Sequence, residues 1–221
     1  MDITYKIEYH KRKNITISVE RDKTIIVKAP PNASIEYIDK CVNQKRLWLY
    51  NKLNHSQKYK EKQTKEFING SSVYYLGRHY KLEVVDDDSD GIYFKSKFYI
   101  SKKSLKIAEQ LIQNWYRRKA EEKIRPKIKY FAENSGVLYN GVFITDMKYR
   151  WGSCTPKNNI NFNWRLIKAP SFVIDYIVVH ELTHLIETNH TKKFWDIVSI
   201  QLPNYQKAKE WLKDFGELLE D

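Results

Sequence analysis

Pro170-Ser171-Phe172-Val173-Ile174-Asp175-Tyr176-Ile177-Val178-Val179-His180-Glu181-Leu182-Thr183-His184 is the stretch on which the fold turns. Pro170-Ser171 opens it, and the apolar run from Phe172 to Val179 predicts a buried core helix. On a helix, positions i and i+4 stack on one face, so His180 and His184 project together. Two imidazoles and a carboxylate at the end of such a run are costly to bury without a partner, and a metal ion supplies one. Zinc takes neutral nitrogen ligands and keeps an open position for chemistry. Glu181, about 100° round the helix, reaches a water on that ion without ligating it. The spacing points to a metal-dependent hydrolase in which metal-bound water is activated by Glu181 as general base.

A catalytic zinc needs a third protein ligand, and His190 is the candidate. It stands six residues beyond His184, the interval of the metzincin pattern H-E-x-x-H-x-x-G-x-x-H. Two features depart from that pattern. Glu187 replaces the turning glycine, and no methionine follows the motif, since the chain holds only Met1 and Met147. Asn189 in the left-handed conformation is the expected substitute for the glycine. Glu187 and Glu210 are the alternative third ligands.

Working outward, the sequence predicts an α+β protein. Ile15–Val19 and Thr24–Val27 read as a β-hairpin, and Ser34 caps a helix running to about Leu53, with Ile38, Val42, Leu47, Trp48 and Leu49 on its apolar side. Residues 54–66 are a polar, lysine-rich connection. Strands follow at Val73–Leu76, Tyr80–Val84, Ile92–Phe94 and Phe98–Ile100, with Asp86–Gly91 read as a hairpin turn. From Ser104 to Asn134 apolar residues recur every four positions; Pro126 is expected to kink or restart that helix near Arg125, and Gly136 to stop it. The division expected is a β-rich region over 1–101 with one helix, and a hydrolase region over 102–221. Just before the histidine helix, Asn159–Leu166 alternates, with Ile160, Phe162, Trp164 and Leu166 on one face. Asn161, Asn163 and Arg165 take the other, as on a half-buried edge strand able to hold an extended peptide or a nucleotide. These three, with Arg150, are the candidate substrate-binding residues, the arginines serving to stabilise an anionic intermediate.

The formal charge is +12, but its distribution says more. Residues 111–170 carry 12 basic and 4 acidic side chains, net +8, whereas residues 171–221 carry 5 and 9, net −4. A cleft flanked by the basic segment would attract phosphates, nucleic acid or other polyanions; a solvated basic surface without a ligand is the plainer alternative. The two cysteines, Cys41 and Cys154, are far apart and exclude a disulfide framework or a cysteine-ligated metal. No signal-peptide pattern and no membrane-length apolar run is present, so the expectation is a cytoplasmic protein.

Arg150-Trp151-Gly152-Ser153-Cys154, Ile160–Pro170, Ile174–Leu185, Asn189-His190 followed by Lys192–Trp195, Pro203-x-Tyr205 and Lys209–Leu212 together resemble the YgjP-like metallopeptidases. Tyr74–Val84 and Asn114–Glu122 extend the resemblance over nearly the whole chain. It implies a zincin-like catalytic half after a β-rich half, zinc on His180, His184 and His190, Glu181 as general base, and Asn189, Phe194 and Trp195 as site wall. Peptide is the substrate by analogy of motif. A zinc-dependent nucleotide (phosphoanhydride) hydrolase, and a nucleic-acid-binding protein with an accessory metal site, are the competing readings. A purely structural zinc domain would need no base at Glu181.

Overall fold

The computed structural model describes residues 3–20, 23–54, 66–86, 91–147 and 150–219. Its backbone packing separates Met1–Gln63 from Thr64–Asp221. In the first unit β1 (Lys6–Tyr9), β2 (Thr16–Val19) and β3 (Ile25–Ala29) form a sheet in the order β1-β3-β2. The expected hairpin is the antiparallel β2–β3 pair, while β1 runs parallel to β3. α1 (Ile35–Gln44) starts where Ser34 Oγ accepts the amide hydrogen of Tyr37 at 3.3 Å. The single helix expected here is two: the chain breaks at Lys45 and resumes as α2 (Arg46–Leu53). Ile38, Val42 and Leu49 are buried, but Leu47 is 74% exposed. Three consecutive helical residues span about 200°, so Leu47, Trp48 and Leu49 cannot all face one core.

The second unit is a mixed α+β body. Its first sheet contains β4 (Ser72–Tyr75), β5 (Arg78–Val85), β6 (Ile92–Phe94) and β7 (Phe98–Ser101), in the order β4-β5-β7-β6. The Asp86–Gly91 stretch therefore closes no hairpin, because β7 lies between β5 and β6; residues 87–90 are outside those described, as are 55–65 of the expected connection. α3 (Ala108–Ser135) follows a 3-10 segment at Lys102–Ile107. It runs through Pro126 without restarting and ends on Gly136 at φ 64°. Ile124 and Ile128 on either side of the proline are fully buried and hold both halves to the same core, while Pro126 itself is exposed. The packing boundary near residue 63 differs from the expected division at 101, for a visible reason. Phe98 of β7 stacks edge-on against Trp115 of α3 with centroids 4.8 Å apart, inside one apolar core.

The second sheet holds β8 (Gly141–Thr145), β9 (Gly152–Cys154) and β10 (Asn159–Asn163) in the order β8-β10-β9. The alternating stretch is a strand only to Asn163 and then a 3-10 turn over Trp164–Lys168. β10 is the central strand, so the edge nearest the histidine helix belongs to β9, a correction to the sequence reading.

The helix α4 (Ser171–Thr183) is followed by α5 (Lys192–Gln201) and α6 (Tyr205–Phe215). Val173, Ile174, Ile177, Val178 and Val179 of α4 are all buried. β-branching costs each at most about 0.7 kcal/mol of helix propensity, whereas burying such a side chain gains roughly 1.5–3 kcal/mol. Packing therefore decides in favour of helix. Asp175, the charge within this run, is met by Lys127 Nζ of α3 at 2.5 Å. The start of α4 is held by the β4–β5 turn. Gly77 (φ 78°) donates its amide to Lys168 O at 2.7 Å, and a Cβ there would lie 2.7 Å from Pro170 Cγ. Among the described residues no helix is long and apolar enough to cross a membrane.

Candidate metal centre

α4 delivers His180 and His184 one turn apart, and a tight reversal after it brings back His190. Nitrogen atoms from the three rings all lie within 4.8 Å of one another. The reversal does not use Asn189 in the left-handed region; Glu187 makes it instead, accepting the Asn189 amide hydrogen on its carboxylate at 3.3 Å. Thr191 then caps α5 by accepting from Phe194 N at 3.4 Å, which fixes His190 directly ahead of the helix. Phe194, fully buried, packs beneath all three imidazoles with ring centroids 5.0, 4.8 and 4.6 Å from His180, His184 and His190.

The nitrogen chemistry of this cluster suits a cation. His184 Nδ1 faces the Glu187 carbonyl at 3.3 Å, which makes it the protonated nitrogen and leaves Nε2 with a free lone pair. His180 and His190 bring their Nε2 atoms within 3.0 Å of each other. His180 Nδ1 is buried without a hydrogen-bond partner. Burial, then the neighbouring His184 and His190 and the charge of Lys209, push the His180 pKa down to about 3, so the ring stays neutral. Burial and His190 push His184 down too. Neutral, converging imidazoles are what a divalent transition ion requires. Glu187 and Glu210 are not part of the cluster.

Glu181 is 5% exposed, and burial lifts its carboxyl to about 7 against the pull of Arg150. Its position depends on a residue whose role the sequence did not disclose. A Cβ on Gly152 of β9 would stand 2.6 Å from Glu181 Cγ and 2.7 Å from Oε1, so only glycine lets the strand pass this close. Gly152 stood in the quoted motif, but no local signal couples it to a carboxylate nearly thirty residues later.

The four candidate substrate-binding residues divide. Arg150 is exposed, and its charge acts on Glu181. Asn163 does not face a ligand: it is 2% exposed, donates to Met147 O at 2.7 Å and Arg150 O at 3.1 Å, and accepts from Arg165 N. Arg165 is ion-paired with Asp146 and lies 4.2 Å over the Trp164 ring. Asn161 donates to Ser153 Oγ at 3.2 Å, tying β10 to β9. With Asn163 and Arg165 engaged in the scaffold, no cluster of free donors for a nucleotide phosphate forms among the described residues, and Trp115 and Trp164 are too buried to stack on bases. Cys154 is half-buried, and burial and the charge of Glu181 push its thiol up, away from the thiolate form.

A family model described as YgjP-like, metallopeptidase domain, matches residues 13–215. No curated protein matches the chain. Among solved structures it is similar to the metallopeptidase zymogen of Pyrococcus abyssi abylysin, at 21% identity, covering 39% of this chain and 86% of that one with a TM-score of 0.36. It is similar in the same degree to the metallopeptidase zymogen of Methanocaldococcus jannaschii jannalysin, at 19% identity, covering 43% and 96% with a TM-score of 0.36.

Proposed function

The chain belongs to the YgjP-like metallopeptidase family and so to the metal-dependent hydrolases; from that premise we propose that it is a zinc-dependent peptidase of zincin type. His180, His184 and His190 hold the ion, and Glu181 is the general base. The observation that carries this reading is the convergence of three imidazoles, one with an orphaned buried nitrogen, beside a buried carboxylate that forms no ion pair among the described residues. Zinc, held by His180, His184 and His190, would supply Lewis-acid chemistry to the attacking water. Glu181 takes a proton from that water and returns it to the leaving amine. Arg150 offers its positive charge to the oxyanion that develops.

The sheet supports a peptide over a nucleotide. Asn163 N donates to Trp151 O, and Thr155 N to Asn159 O, so residues 151, 153 and 155 pair inward with β10. By antiparallel alternation, the main-chain groups of Gly152 and Cys154 point to the free edge of β9. An extended peptide adding to that edge runs past Glu181 at Gly152, with its backbone hydrogen-bonded and its side chains alternating.

The test is metal stoichiometry by mass spectrometry together with peptide turnover. We expect one zinc per chain, most of it lost in His190→Ala. Glu181→Gln should keep the zinc and lose about 10²–10⁴-fold in turnover. Full zinc retention by His190→Ala, or undiminished turnover by Glu181→Gln, would refute the assignment.

A further inference from the structure

Lys209 lies on α6, one turn beyond Tyr205, so both side chains leave the same face of the helix. Tyr205 stacks on Trp195 with centroids 5.4 Å apart, and Lys209 Nζ sits 4.3 Å from the centre of that indole. Trp195 in turn stacks on His190 at 5.7 Å. The ammonium thereby lies over an aromatic platform that leads through Trp195 to His190 of the cluster. Among the described residues, no carboxylate pairs with Lys209.

This placement runs against the local composition, because residues 171–221 are net −4, from 5 basic and 9 acidic side chains. Arg150, exposed just ahead of β9, and Lys209, over Trp195, are two cations bordering a site whose buried acid is Glu181. A bound divalent ion adds to the same sign. Such a field favours a substrate bringing a negative charge, and an ammonium on a fixed aromatic platform is a point at which one carboxylate can be read.

We propose that Lys209 is a specificity-determining residue of the peptidase site: held over Trp195, it binds a carboxylate on the substrate close to the scissile bond. The proposal rests on the peptidase reading above and names the substrate class that reading leaves open. The carboxylate is an acidic side chain or the peptide's own C-terminus.

The test uses the full-length, zinc-loaded protein and four versions of one short peptide. These carry glutamate or glutamine beside the scissile bond, each with a free or an amidated C-terminus. We expect kcat/KM for the preferred carboxylate to exceed that for the neutral peptide by about tenfold, chiefly through KM, the scale of one charge-assisted hydrogen bond. Which of the singly charged versions keeps the advantage identifies the carboxylate. Lys209→Gln should erase the ratio, Lys209→Arg retain most of it, and Lys209→Glu invert it in favour of the neutral peptide, all with zinc content unchanged. The same four peptides are titrated calorimetrically into zinc-loaded Glu181→Gln, so that preference is also read without turnover. Cleavage with no carboxylate preference, or an equal preference in Lys209→Gln, overturns this inference alone. Zinc bound with none of the four peptides cleaved or bound overturns the peptidase reading and this inference with it.

Discussion

Two sets of polar side chains meet in the second unit, and they differ in what satisfies them. Around β9 and β10 every candidate ligand-binding group except Arg150 is taken up by the protein: Asn163 by two carbonyls, Asn161 by Ser153, Arg165 by Asp146. Around the end of α4 the reverse holds. Two imidazole nitrogens face each other at 3.0 Å, a third is buried without a partner, and a buried carboxyl sits near neutrality. Buried polar groups are almost always paired within the protein, so the set left unpaired is where an external partner belongs. Asn161, Asn163 and Arg165 look like ligand-binding residues in sequence, yet the hydrogen bonds they make are with the scaffold.

The contrast can be broken most severely at Phe194, the fully buried ring under all three imidazoles. Phe194→Ala should cost about 3–5 kcal/mol in stability by leaving a cavity, and should weaken zinc retention because the rings lose their floor. Urea unfolding and dialysis against a chelator measure the two, and a destabilised variant that binds zinc normally would show that the histidines hold their geometry without it. Gly152→Ala comes next. Its methyl group must displace the Glu181 carboxylate, so turnover should fall on the order of 10²-fold, the scale of a small misplacement, while zinc content stays at the parent value. Loss of zinc in this variant would mean that β9 supports the ligands as well as the base.

Asn163→Ala tests the scaffold side. It strands three backbone partners and should cost about 1–3 kcal/mol in urea unfolding, with zinc content and the acidic-over-neutral peptide ratio unaltered. A change in peptide preference without a change in stability would return Asn163 to the substrate-binding group. The smallest effect belongs to Asp146. Burial raises its carboxyl, but the hydrogen bond from Arg165 and the charges of Arg165 and Arg117 hold it below its ordinary value on balance. A depressed carboxylate contributes stability above its unfolded pKa and loses it as pH falls through the folded value. The parent should therefore weaken towards acid more steeply than Asp146→Asn, by under about 1 kcal/mol for so exposed a pair. Identical acid limbs in thermal melts would remove Asp146 from the account.

What the sequence determined by itself was local. Spacing put His180 and His184 on one helix face, the apolar run made that helix a core element, Ser34 and Gly136 marked helix ends, β-branched runs marked β2 and β3, and alternation marked β10. Each of these depends on residues within about one or two turns of one another, where periodicity and capping act. The end of the long helix was legible and its continuity through Pro126 was not, because flanking isoleucines supply a core that propensity does not register. The break at Lys45, the insertion of β7 between β5 and β6, and the choice of β9 as the edge strand were likewise decided by long-range pairing. So were the contact of Gly152 with Glu181, and of Lys209 with Trp195. Residues distant in sequence met there because sheet order and helix packing bring them together, and no local pattern records that meeting.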